Sequence, residues 1–246
     1  MVLRPVVIMS KERLDKFISN QLNVSRSIVK TALRKGQATV NGEIIKNPSV
    51  SVDIVKDKIC FEGKEITYKK YVYILINKPK GILSASNDKN RKTVVDLVPE
   101  HLKRTGLFPV GRLDKDTTGF LIITDNGEYA HNCISPKKDI PKSYIVTLDG
   151  RITDDMPPLF EKGIVLADGY ECKPAALEVL EENKARITIT EGKYHQIKRM
   201  FGVVGLGVNE LHRESMGNMK LPGDLEAGKC IELTEKEAFS VLLKIC

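Results

Sequence analysis

The stretch GRLDKDTTGFLIITDNG, Gly111 to Gly127, sets an arginine and two aspartates on a polar, glycine-flanked segment directly before the apolar run Phe120 to Ile123. A carboxylate held at the mouth of a strand can act as a nucleophile or as a general base. Arg112, two residues before Asp114, falls on the same side of an extended segment, so both can face one ligand. Asp114 and Asp116 also admit a reading as a hydrolytic carboxylate pair, and a third as acceptors of turn hydrogen bonds, the commoner task of aspartates on short turns. The residues alone leave these readings open. No GxxxxGK[ST] loop occurs and GVVGLG has its glycines in the wrong order for a dinucleotide loop, so no cofactor is expected. Cys60, Cys133, Cys172, Cys230 and Cys246 and the four histidines are scattered without ligand spacing, which argues against a metal site or a disulfide framework.

The elements that must position these groups can be read from periodicity. Phe120 to Thr124 reads as a strand, followed by an Asp125-Asn126-Gly127 turn and a short helix from Glu128 to Ile134. Upstream, YVYILINKPKGIL is a β-branched and aromatic run closed by Pro79 and Gly81, the pattern of a buried strand ending in a loop. KSYIVTLDG and KARITITEG read as further strands, the second placing Ala185, Ile187 and Ile189 on one face. After Glu191-Gly192, Ile197, Met200, Phe201 and Val204 form a helical stripe that stops at Gly205. At about 100° per residue, Lys198 falls at the margin of that stripe and Arg199 on the far side. Lys198 therefore sits beside the buried face, whereas Arg199 points outward. Thr234 and Glu237 have the spacing of a capping box. Consecutive strands without regular helical crossovers indicate an α+β fold with a largely antiparallel or mixed sheet.

A chain of 246 residues leaves room for a main domain and an accessory one. The apolar run at the amino terminus, Val6 to Met9, is too short for a signal-peptide core or a membrane span, and a cytoplasmic protein is expected. Residues 1–62 hold eleven Lys or Arg against six Asp or Glu, so +5 of the total charge of +7 sits on the first quarter. This front module reads as two helices and a hairpin. Leu14, Phe17, Ile18 and Leu22 recur at helical spacing. Ser25 is the expected cap of a second helix ending at Gly36, with Ile28, Ala32 and Leu33 facing inward. Arg26, Lys30 and Arg34 recur every four residues and stack into one basic ridge, with Lys35 beside it. Such a ridge suits a polyanion, although a solvated face has the same pattern. Asn41-Gly42 marks a tight hairpin. The charged segment FEGKEITYKKY suggests domains at 1–62 and 71–246 joined by a linker at 63–70.

Two resemblances sharpen this picture. Arg13 to Val52 resembles an S4 domain, a small RNA-binding module, which implies that Arg26, Lys30, Arg34 and Lys35 contact structured RNA. GRLDKDTTGFLIITDNG is similar to the catalytic loop of the pseudouridine synthases, and INKPKGIL, KSY at Lys142 to Tyr144 and EGKYHQIKRMFGVVG resemble further motifs of that family in the same order. The variant EGKYHQIKRMF is nearest the branch acting on small-subunit ribosomal RNA. The resemblance implies isomerisation of a uridine, uridine-516, without a cofactor, by a monomer whose partner is that RNA, alone or with bound ribosomal proteins. It also implies roles: Asp114 as the catalytic acid, Tyr144 as the tyrosine stacked on the flipped base, Lys198 as the basic partner of the aspartate, and Arg112 as the cation that enters the stack the uridine leaves. Arg199 would then meet RNA. The basic position is a lysine here where many relatives outside the branch have arginine, which removes any bidentate geometry. The alternatives are a synthase acting on large-subunit RNA, a non-catalytic RNA-binding assembly protein, and a glycosidase-like hydrolase.

Overall fold

The structure, a computed structural model, describes residues 10–243; the run Val6 to Met9 and Cys246 lie outside the described residues. The chain forms two compact units, one running to Lys70 and including Lys103–Thr105, the other holding the remainder. Among the described residues no helix is long and apolar enough to cross a membrane.

In the first unit the order is β1 (Lys11–Arg13), α1 (Leu14–Leu22), α2 (Arg26–Arg34), β2 (Ala38–Val40), β3 (Glu43–Ile44), β4 (Ser51–Asp53), β5 (Ile59–Phe61) and β6 (Lys64–Glu65). β3, β2, β5 and β6 form one sheet in that order, and β1 pairs with β4. Asn41 and Gly42 both take positive φ, 52° and 88°, and turn β2 into β3. Ser25 caps α2 by accepting the Ile28 N–H. Leu14, Phe17 and Ile18 of α1 meet Val29, Ala32 and Leu33 of α2 over Ile59 and Phe61, each large side chain contributing about 1.5–3 kcal/mol. α2 is thus rotated from the expected face: Val29 is buried and Ile28 is 58% exposed, because 29, 32 and 33 repeat the i, i+3, i+4 spacing that α1 presents at 14, 17 and 18. Leu22 is likewise exposed. The segment expected to be a linker begins with a strand instead, since Lys64 and Glu65 pair with β5.

The second unit comprises β7 (Tyr73–Lys78), β8 (Phe108–Pro109), β9 (Thr118–Thr124), α3 (Gly127–Ile134), β10 (Lys142–Leu148), α4 (Met156–Lys162), β11 (Ala176–Glu181), β12 (Lys184–Ile189), α5 (Gln196–Val203), β13 (Val208–Met216), β14 (Met219–Lys220), β15 (Cys230–Leu233) and α6 (Glu235–Ser240). Its sheet runs β11-β12-β10-β13-β9-β7-β15, with β14 beside β13 and β8 beside β9. β7 and β9 are buried on both faces, which is why their sequences lack alternation. Ile74, Ile76, Leu121 and Ile123 face the core that takes Met200 and Phe201 of α5. Tyr73, Leu75, Phe120 and Ile122 face a second core with Tyr129 of α3 and Ala238 of α6. Asn126 caps α3 and the Thr234–Glu237 capping box forms at α6. The strands pair antiparallel with one exception among the described residues: β9 and β13 run parallel over His212↔Thr118 and Arg213↔Gly119. At Gly119, where φ is 101°, a Cβ would lie 2.3 Å from the Arg213 carbonyl oxygen. Glycine is what lets the two halves of the sheet meet.

Candidate active site

The loop before β9 is tied down from beneath. Lys78, at the end of β7, is fully buried, and its ammonium donates to the carbonyls of Thr117 at 2.8 Å, Lys115 at 3.1 Å and Pro79 at 3.2 Å. Burial lowers its pKa to about 8, partly offset by the charges of Asp116 and Asp114. Ser84 both accepts the Leu113 N–H and donates to the Leu113 carbonyl. Asp114 therefore stands on a segment whose backbone is held on either side. Arg112 is exposed at the start of it.

The opposite wall comes from the turn between β12 and α5. The buried carboxylate of Glu191 accepts from the Lys173 N–H, the Gln196 amide and the Tyr170 hydroxyl. Gln196 in turn accepts the Lys193 N–H. His195 enters α5 with a left-handed φ of 49°, and its Nε2 lies 3.4 Å from Asp114 Oδ1. Lys198 does lie beside the buried stripe of Ile197, Met200 and Phe201, but its Nζ meets Asp116 Oδ2 at 2.6 Å rather than Asp114. The chain turns within this loop, where the Thr117 N–H bonds back to the Asp114 carbonyl, and it is the second acid that faces α5. The Lys198 ammonium holds the Asp116 carboxyl below the usual carboxylate range. Arg199, expected to point outward, pairs with Asp168.

Tyr144 forms the floor. It lies on β10, 7% exposed, between β12 and β13. The guanidinium of Arg213 is packed between it and Phe120, 6.0 Å from each ring centroid, with Nε donating to the Phe120 carbonyl at 2.8 Å. Arg112, Asp114, Tyr144, His195 and Lys198 thus line one open cleft. A half-buried carboxylate facing an imidazole, above an aromatic floor, can attack an electrophilic carbon or take a proton from a planar group lying on the ring. Arg26, Lys30, Arg34 and Lys35 belong to the first unit; Lys30 there lies 4.0 Å from the buried carboxylate of Asp15, which Arg13 also binds. Sequence reasoning missed Lys78, His195 and Arg213. Only Lys78 left a signal, a lone cation inside a buried strand.

Residues 72–202 match the family of RNA pseudouridylate synthases, and residues 12–59 match the S4 domain. The chain belongs to the RNA pseudouridine synthase family and carries an S4 domain ahead of the synthase domain. It is 40% identical to an uncharacterized RNA pseudouridine synthase, YtzG, of Bacillus subtilis, over 92% of this chain and 96% of that one. It is also 40% identical to ribosomal small subunit pseudouridine synthase A of Escherichia coli, over 94% of this chain and 100% of that one. A crystal structure of a pseudouridylate synthase superposes with a TM-score of 0.66 at 36% identity, covering 93% of this chain and 99% of the other.

Proposed function

We propose that the protein converts one uridine of small-subunit ribosomal RNA, uridine-516, to pseudouridine, acting as a cytoplasmic monomer on the RNA alone or with bound ribosomal proteins. The observation that carries this reading is the convergence of Asp114, Tyr144 and Arg112 on one cleft, in a chain that matches a small-subunit synthase end to end. The N1–C1′ bond breaks, the base turns, a C5–C1′ bond forms, the C5 proton leaves and N1 gains a proton. Asp114 serves as nucleophile at C1′ or as base at the 2′ position; either role needs the carboxylate. Tyr144 supports the flipped uracil and helps remove the C5 proton. Flipping costs a few kcal/mol, and Arg112, exposed beside Asp114, fills the vacated place in the stack. Small-subunit RNA labelled with tritium at uridine C5 tests the reading: isomerisation releases tritium and leaves the strand intact. Strand cleavage, or binding without release, would refute it.

Lys198 acts through Asp116 in this arrangement. Lys198→Met is expected to raise the Asp116 pKa and to slow single-turnover isomerisation by roughly ten- to hundredfold, because the cleft loses a fixed positive charge. Arg199→Met frees Asp168 and the Tyr194 carbonyl, neither of which meets Asp114, and is expected to change the rate by less than about threefold. Carboxylate NMR and single-turnover rates check both; the larger loss at Arg199 would reverse the assignment.

Docking falls to the first unit. Arg26, Arg34 and Lys35 are exposed on and beside α2, and Lys30 is half-buried between them. Each phosphate contact contributes roughly 0.7–0.9 to the slope of log affinity against log salt. Replacing Arg26, Lys30 and Arg34 by Gln is expected to lower that slope by about 2, with Lys30 contributing least because it already faces Asp15. An unchanged slope in filter-binding titrations would make the ridge a solvated face.

A further inference from the structure

The turn into α5 carries a feature that the cleft chemistry leaves unused. Tyr194 is 76% exposed, yet its ring is stacked on that of His195, with centroids 3.9 Å apart and planes 19° from parallel. Exposed aromatics scattered singly are ordinary on a protein surface. This one stands on a fixed base. Its carbonyl accepts from Arg199 Nη1 at 3.5 Å, and Arg199 is held by Asp168. The preceding Lys193 N–H is fixed by Gln196 at 2.9 Å, which the buried Glu191 fixes in turn. The following residue, His195, takes a left-handed conformation, which is uncommon for a side-chain-bearing residue.

His195 belongs to the cleft wall, and its other contact is Asp114 at 3.4 Å. The two-ring stack therefore starts at the cleft carboxylate and ends in solvent beside the cleft mouth. One face of the Tyr194 ring is taken by His195, and its exposure leaves the other for a flat ligand. Extrusion of one nucleotide into the cleft unstacks its neighbours, and a rigid, uncharged aromatic face next to that point recovers the loss for a base of any sequence. A phosphate would gain nothing from such a face.

We infer that Tyr194 is a stacking platform for the nucleobase adjoining the target uridine, and so determines how the RNA strand is seated. The inference rests on the isomerase reading of the cleft. In the test, 2-aminopurine, whose fluorescence stacking quenches, replaces in turn each of the two nucleotides on either side of the target in a small-subunit RNA fragment. Quenching is expected at one position with the wild type and with Tyr194→Phe, and is lost with Tyr194→Ala. Removing the base at that position lowers kcat/KM about tenfold in the wild type, mainly through KM, and adds no further loss to Tyr194→Ala. Equal quenching by wild type and Tyr194→Ala at every position, or losses that simply multiply, overturns the platform. An unchanged thermal melt shows that Tyr194→Ala is folded. Tyr194-dependent quenching with no tritium release from any RNA would leave the platform standing and remove the isomerase reading; tritium release without such quenching does the reverse.

Discussion

Asp114→Asn is expected to abolish isomerisation while leaving RNA affinity within about twofold of wild type. The substitution keeps the shape and the backbone bond from Thr117 to the residue-114 carbonyl, so the loop held by Lys78 and Ser84 stays in place. What disappears is the negative charge opposite His195. An amide can neither attack C1′ nor take a proton, so the outcome is the same for either chemical role of the acid. Loss of a general base alone costs roughly 10²–10⁴-fold, and loss of a nucleophile costs more. Tritium release from labelled RNA, together with the dissociation constant of the same RNA, reads the two quantities separately. Residual turnover above about a hundredth of wild type would place the reacting carboxylate elsewhere, with Asp116 the next to try. A parallel fall in affinity would make Asp114 a docking residue.

A large loss of stability is expected from substitution at Gly119. An alanine methyl there meets the Arg213 backbone, with its oxygen at 2.3 Å and its nitrogen at 2.9 Å, and φ is 101°. Backbone cannot move aside as the end of a side chain can, so the cost combines overpacking with conformational strain, about 3–5 kcal/mol in all. That is a large part of the stability of an ordinary domain. Gly106→Ala is the control: φ is 85° but nothing lies within 4 Å, so only strain of about 1 kcal/mol applies. Urea unfolding of both variants measures the difference. Gly119→Ala no less stable than Gly106→Ala would mean that the parallel contact is looser than the backbone shows.

Much of the scaffold was legible because the signals are local. The stripe of Ile197, Met200 and Phe201, the inward face of Ala185, Ile187 and Ile189, and the caps at Ser25 and Thr234 depend on residues within one or two turns of each other. The site was legible only in part. Helical geometry placed Lys198 at the edge of the buried stripe, but whether it met Asp114 or Asp116 was decided by a turn with no helical or strand period. His195 gave no sign, because its contact with Asp114 depends on a left-handed backbone, which few non-glycine residues adopt. Lys78 reads as an error in a buried strand until the three carbonyls that satisfy it are brought from the loop. β13 was missed because VNELHRESM mixes polar residues with buried ones, and its parallel partner lies on the far side of several hairpins.

That distance has a consequence for the order in which the protein assembles. Thr118 and His212, hydrogen-bonded to each other across the seam of β9 and β13, are 94 residues apart. Each half of the sheet is built largely from antiparallel neighbours, contacts that close early because their loops are shorter. Joining the halves carries a high loop-closure entropy, exceeded by that of β15, whose Cys230 pairs with Ile76 of β7. The cleft is lined from both sides of that junction, by Asp114 just before β9 and by Tyr144 and His195 from the other half. On the ribosome, a chain not yet extended through β13 holds its aspartate on one hairpin and its tyrosine on another, with no seam between them. Competence to modify RNA therefore arrives only once β13 has been made.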